Sequence, residues 1–220
     1  MTDRFERQAS LIVRDKLAVC DCTVIGVGAI GRQVALQLAS IGAPRIQLVD
    51  FDNVEATNIT TQGYRNDQLN MLKVTATASD IAAIDPGIAV DTINDRFRTK
   101  QKLGNVVFCC VDSISARAAI WRSLQSRCEL WVDARMLGET MRVLSASDPL
   151  SKEHYQLTLF AQADAQRGAC TAQSTIYTAS IAAGLMIHQL SRWLRGFPLD
   201  HDLTLNLLAS ELNVTEVAAC

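Results

Sequence analysis

The sequence predicts an α/β protein built on a doubly wound, mostly parallel sheet, and three observations carry that expectation. Short apolar runs of strand length alternate with segments of helical periodicity through the first two-thirds of the chain. A glycine-rich turn joins the first such run to the first helical segment. The chain has 220 residues, 49% of them hydrophobic and 20% charged, enough for one large domain with its own core and no metal or disulfide as a staple.

Residues 22–25 (CTVI) read as a buried strand, 29–41 as a helix, 45–49 as a second strand, and 68–84 as a second helix with one apolar face. After Pro86, residues 88–93 form the third expected strand, 106–111 the fourth, 113–127 a helix and 130–132 the fifth strand. Such alternation is the pattern of parallel crossovers. Residues 140–146 read as a further strand, after which 147–173 carry few regular signals and are expected as a long crossover loop. Residues 174–195 read as a long helix with Ser174 as its N-cap and Gly196 and Pro198 closing it, and 201–208 add an edge strand. The expected organisation is one domain over 1–220: a core over 1–146, the crossover loop over 147–173, and a C-terminal helix and strand over 174–220.

Lys and Arg number 21 against 23 Asp and Glu, a formal net charge of −2, with no block of like charges. Nucleic acid and anionic membrane surfaces are therefore not expected as partners. The first seven residues are polar and charged, unlike an export signal. The most apolar stretch, 176–190, is broken by Thr178, Ser180, His188 and Gln189, which makes it too polar for a bilayer span. A cytoplasmic location is expected. Seven cysteines, at 20, 22, 109, 110, 128, 170 and 220, include no C-x-x-C pair, so a reduced compartment and no zinc are expected. Cys22, Cys109 and Cys110 fall in apolar runs and read as buried, inert thiols.

The first strand runs into Gly26-Val27-Gly28-Ala29-Ile30-Gly31, a G-x-G-x-x-G placed where a strand turns into a helix. The glycines allow a tight turn and close approach to a phosphate, whose charge is met by the helix N-terminus. Asp50 follows 19 residues after Gly31, at the end of the second strand, where a carboxylate can accept hydrogen bonds from ribose hydroxyls. The turn makes the domain Rossmann-like, and alone it does not separate NAD, FAD and ATP. Asp52, Asn58 and Gln62 follow, Lys73 lies in the next helix, and Asp112 stands past the fourth strand. A carboxylate there repels a dinucleotide pyrophosphate unless a cation intervenes, which favours Mg²⁺ with a triphosphate.

These residues resemble the ThiF/MoeB/HesA superfamily, which includes the adenylating domains of ubiquitin-activating enzymes. The resemblance covers nearly the whole chain: Arg4-Phe5-Glu6-Arg7-Gln8, the glycine turn, Asp50-Phe51-Asp52-Asn53-Val54, Asn58 to Gln62, Lys73, and Asp112 followed by Arg117. It implies an enzyme that adenylates the C-terminal glycine of a small ubiquitin-like or sulfur-carrier protein with ATP and Mg²⁺. Carried over, it assigns Gly26, Gly28 and Gly31 to the nucleotide turn and Asp50 and Asp52 to ribose and nearby contacts. Asn58, Gln62 and Lys73 would face the phosphates, Asp112 would hold Mg²⁺, and Arg7 would reach the phosphates from the partner subunit of a homodimer. A downstream conjugating enzyme is a further implied partner.

Two departures stand out. The family's N-x-x-R-Q here has Thr61 in the arginine position, with Arg65 the nearest substitute, and the paired C-x-x-C motifs of many bacterial relatives are missing. Cys170 stands just before the last long helix, where a helix N-terminus lowers a thiol pKa. Its place resembles that of the acceptor cysteine in the family's members that form a thioester; the alternative is a small packed residue. Two other functional classes remain open: an NAD(P)-dependent oxidoreductase, which shares the turn and Asp50 but uses neither Arg7, Lys73 nor Asp112, and a nucleotide-binding scaffold without turnover.

Overall fold

The structure, a computed structural model, describes residues 3–161 and 175–215. Helix α1 (Arg14–Leu17) leads into β1 (Cys22–Ile25), an apolar run buried on both faces as a central parallel strand must be. Helix α2 (Ala29–Ile41) ends at Gly42, whose φ of 85° is a left-handed C-cap. Then come β2 (Arg45–Val49), α3 (Ala56–Gln62), α4 (Lys73–Ile84), β3 (Ala89–Ile93), β4 (Val106–Cys109), α5 (Ile114–Leu124) and β5 (Leu130–Leu137). The remaining elements are β6 (Thr140–Ala146), α6 (Pro149–Leu157), α7 (Ile176–Arg195), β7 (Asp202–Asn206) and β8 (Glu211–Val214).

The eight strands form one sheet in the order β3-β2-β1-β4-β5-β6-β7-β8. Pairings from β3 through β5 are parallel, with Cys22 opposite both Ile46 and Val106, and those from β5 to β8 are antiparallel. Successive side chains alternate between two cores. Val24, Phe108 and Val132 join Val34 and Leu38 of α2 and Met186 of α7 on one face. Ile25, Val107, Cys109 and Trp131 pack with Trp121 of α5 and Tyr155 of α6 on the other, where the three large rings stand 4.5–5.6 Å apart. No helix among the described residues is long and apolar enough to cross a membrane.

The doubly wound architecture is as expected, and six local expectations are corrected. The helix expected over 68–84 is a 3-10 turn at Asn66–Gln68 and then α4, because Asn70 takes a left-handed φ of 66° and Leu72 bridges to Asn53. Tertiary pairing overrides periodicity there. Residues 56–62, given no element from sequence, form α3 on a Glu55–Asn58 capping box. The fifth strand continues to Leu137 and turns through Gly138, φ 58°, into β6. The segment expected as an irregular crossover begins with α6, capped by Asp148 and opened by Pro149 at its first position. β7 is interior, and β8 takes the edge beyond it. The last long helix takes Thr175 as its N-cap, and Ser174 lies outside the described residues.

The turn from β1 to α2 is tightly packed. Gly26 has φ 85°, and a Cβ on it would lie 2.8 Å from the Cys110 carbonyl oxygen. A Cβ on Gly31 would lie 1.8 Å from the Gly26 carbonyl oxygen, a backbone atom that cannot step aside. Gly31→Ala is therefore expected to cost at least about 2 kcal/mol in denaturant unfolding, toward the upper part of the range for overpacked sites. A loss below about 0.5 kcal/mol, the scale of an ordinary surface substitution, would show that the turn relaxes freely.

Candidate functional site

β1 lies between β2 and β4, so the crossovers leave it in opposite directions and a crevice opens at the carboxyl ends of these strands. The glycine turn forms its floor. A Cβ on Gly28 would meet nothing nearer than Gln62 Oε1 at 3.9 Å, so the space before the first turn of α2 is open. That turn has neither an acidic residue nor a side-chain cap, leaving its amide donors and the positive end of the helix dipole for an anion.

Asp50, at the end of β2, is buried. Its Oδ2 accepts the Val27 N–H at 2.6 Å and its Oδ1 accepts the Asp52 N–H at 2.8 Å, so it braces the turn while keeping lone pairs for other donors. Asp52 is exposed and pairs at 3.1 Å with the ammonium of Lys73, the buried first residue of α4. Asn58 is buried in the first turn of α3, its Oδ1 accepting the Glu55 N–H at 2.9 Å. Gln62 Oε1 is buried with no partner among the described residues, beside the open space at Gly28. Asp112, past the end of β4, is exposed and has no hydrogen-bond or ion-pair partner among the described residues. Its neighbourhood is fixed nonetheless: the Cys110 N–H bonds the Ile25 carbonyl at 2.8 Å, and buried Arg117 donates to the carbonyls of Val111 and Ala134 and pairs with Asp133.

Asp50, Asp52, Asn58, Gln62, Lys73, Asp112 and the three glycines thus gather at the carboxyl ends of β1, β2 and β4. Arg7 does not. It lies in the 3-10 turn Glu6–Gln8, where Gln8 bonds the Ser40 carbonyl, Phe5 packs on Gly42, and Arg4 bonds the Ile84 carbonyl. Those are the C-terminal ends of α2 and α4, so the 13-residue α2, about 20 Å long, separates Arg7 from its own glycine turn. Cys170 lies outside the described residues.

Arg65 does not replace the arginine missing at Thr61. Its guanidinium is committed to Asp67 and Asp80, and the Thr61 hydroxyl turns back to the Thr57 carbonyl at 2.7 Å. Burial pushes the Asp80 carboxyl up, but hydrogen bonds from Gln68, Arg32 and Arg65 together outweigh it and hold the group below its ordinary range. Burial raises the thiols of Cys22, Cys109, Cys110 and Cys128, and that of Cys20 to about 11, so these five remain thiols at neutral pH.

Two contributors have no signal in the sequence: Tyr64 reaches the Val27 carbonyl with its hydroxyl, and Asp133 anchors Arg117. Exposed Phe51, part of the segment Asp50 to Val54 noted above, carries the Arg96 guanidinium 4.5 Å from its ring centroid. Among the described residues the donor set suits a magnesium triphosphate: amides, an ammonium and a side-chain amide for phosphate oxygens, and in Asp112 a carboxylate without a partner, of the kind that shares Mg²⁺ with phosphates. Among the described residues no three of His, Cys, Asp or Glu are grouped to hold a metal by themselves.

The model of the ThiF family matches residues 5–218. Among curated proteins, the chain is 27% identical over 139 residues to ubiquitin-like modifier-activating enzyme 5 of Drosophila persimilis, covering 56% of this chain and 35% of that one. The Arabidopsis thaliana enzyme of the same name is 26% identical over 132 residues, covering 50% and 31%. The chain thus spans about a third of the length of these relatives. Among solved structures, PaaA superposes with a TM-score of 0.77 at 20% identity, covering 98% of this chain and 82% of that one. E. coli MccB with AMPCPP and MccA superposes with a TM-score of 0.78 at 15% identity, covering 100% and 72%. At these identities the superpositions speak for the fold, and the family match carries the assignment. The chain belongs to the ThiF family.

Proposed function

We propose that the protein is an ATP-dependent adenylyltransferase that activates the C-terminal carboxylate of a small ubiquitin-like or sulfur-carrier protein. The observation that carries this reading is Asp112, an exposed carboxylate just past the end of β4 with no partner among the described residues, next to the strand whose end bears the open glycine turn. A dinucleotide pyrophosphate alone would be repelled there, whereas MgATP uses the carboxylate.

In this reading the amides at the start of α2, Lys73 and Gln62 take the phosphate oxygens, and Asp50 takes the ribose hydroxyls. Asp112 holds Mg²⁺, which when bound neutralises phosphate charge. The partner's carboxylate oxygen attacks the α-phosphorus, the bond to the bridging oxygen breaks, and pyrophosphate leaves with its electron pair. The protein's task is to position the reactants and meet charge. Cys170, as thiolate, then attacks the acyl carbon of the adenylate; the carbon–oxygen bond to AMP breaks and a thioester remains. Arg7 serves the site of the other protomer in a homodimer, because its own site lies the length of α2 away. A scaffold without turnover is the second reading, favoured by one observation: the cation missing at Thr61 has no replacement in Arg65.

Partner-stimulated exchange of pyrophosphate into ATP tests both readings, and its absence with every small glycine-ended β-grasp protein tried would leave the scaffold. Asp112→Asn should reduce exchange at least about 100-fold while unfolding normally, the scale of one strong electrostatic contact. Exchange within about threefold of wild type, a loss too small for such a contact, would remove Asp112 from the site. Mixing Arg7→Ala with Asp112→Asn protein should restore part of the activity, because a mixed dimer holds one site with both residues intact. No recovery in verified mixed dimers would end the shared-site reading. Cys170→Ala should keep exchange but lose a covalent, thiol-cleavable adduct with the partner, and an adduct that persists in that variant would return Cys170 to packing.

A further inference from the structure

We propose that Tyr64 is a positioning residue for phosphate recognition: by donating its hydroxyl to the Val27 carbonyl it turns the Gly28 amide into the crevice. The bond is 2.6 Å long and buried. All peptides of the described chain are trans, so the carbonyl of Val27 and the N–H of Gly28, which share one peptide plane, point in opposite directions. Holding the carbonyl inward therefore aims the amide outward. That amide has no acceptor among the described residues, and a Cβ on the same residue would meet nothing nearer than Gln62 Oε1 at 3.9 Å. The preceding peptide is held separately, its Val27 N–H bonded to Asp50 at 2.6 Å. Val27 is thus pinned from both sides by residues of different elements.

Tyr64 is itself fixed. The Arg32 guanidinium lies 4.2 Å from its ring centroid and is anchored by Asp80 at 2.6 Å and the Gly63 carbonyl. Thr77 Oγ1 lies 3.3 Å from the tyrosine oxygen and accepts from Arg32 Nη1 at 3.3 Å, which leaves the threonine hydrogen for Tyr64 and the tyrosine hydrogen for Val27. Burial pushes the phenol well above its usual range, so the donor survives at alkaline pH. This role rests on the ATP reading above.

The test is equilibrium binding of ATP and of adenosine to the full chain, in wild type, Tyr64→Phe and Thr77→Val. Tyr64→Phe keeps the ring on Arg32 and removes only the donor. It should weaken ATP about tenfold, the scale of one hydrogen bond, and leave adenosine within about twofold, because adenosine has no phosphate for the Gly28 amide to meet. In pyrophosphate exchange the KM for ATP should rise by the same factor with kcat nearly unchanged, a split that general loss of structure does not produce. Thr77→Val should show the same pattern more weakly, and it carries the test if Tyr64→Phe does not fold. Equal losses for ATP and adenosine, or unchanged ATP affinity in the folded variants, would overturn the role of Tyr64. Wild-type protein that binds no ATP would instead overturn the ATP reading on which it rests.

Discussion

A backbone contact decides where everything else in the site can stand. Gly31, in the first turn of α2, lies so close to the Gly26 carbonyl that no side-chain carbon fits between them. The contact seats the start of the helix directly on the end of β1, and the orphan amides of that first turn then lie at the crevice floor. Loosening it by one methyl group would tilt a 13-residue rod packed on α7 and α4. Asp50 and Tyr64 act on the same turn from outside, fixing peptide orientations the glycines leave free. Glycine supplies permission for the turn, and buried polar side chains supply its direction.

Charges around the crevice follow a division between anchored and available groups. Arg117, Asp133 and Arg135 form a buried cluster, completed by the Tyr155 hydroxyl on Asp133 at 3.1 Å. Buried ion pairs contribute little net stability, but breaking one leaves an uncompensated charge, so they hold geometry strongly. Here they hold the Val111 and Ala134 carbonyls together, which sets the loop that carries Asp112. Arg32, Arg65, Gln68 and Asp80 do the same beneath Tyr64. Among the described residues, Asp112 and the amides at the start of α2 are left uncommitted, and Lys73 pairs only with exposed Asp52.

Much of this was legible in the sequence where the physics is local. The bounds of β1, α2, β2 and β6 follow from apolar run length and from glycine at the turns, and the structure reproduces them. The glycine turn and the carboxylate at the end of β2 are equally local signals. Legibility fails where a distant partner decides. The helix over 68–84 breaks because Leu72 pairs with Asn53. The arginine substitute read into Arg65 fails because Asp80, 15 positions on, claims its guanidinium. Tyr64 carries no signal because its acceptor lies 37 positions back in the chain. α6 is a different case: Asp148-Pro149 is a readable cap and first turn, but the helix is short and its surroundings lack periodicity.

The placement of Arg7 turns on rigidity rather than on sequence distance. Phe5 is buried at the C-terminal end of α2, against Gly42 and with the Arg14 guanidinium 4.0 Å from its ring centroid. Arg4 is tied to the C-terminal end of α4 through Ile84 and Asp85, and Gln8 to Ser40. With its flanking residues pinned on two helix ends, Arg7 cannot swing along the length of α2 to its own glycine turn; a fully stretched arginine covers less than half of about 20 Å. Its side chain is exposed at the opposite end of the molecule from the crevice. Arg7 is thus excluded from its own crevice by the anchoring of Phe5, Arg4 and Gln8, and if it serves a nucleotide site, as proposed above, rigidity requires that site to belong to a neighbouring chain.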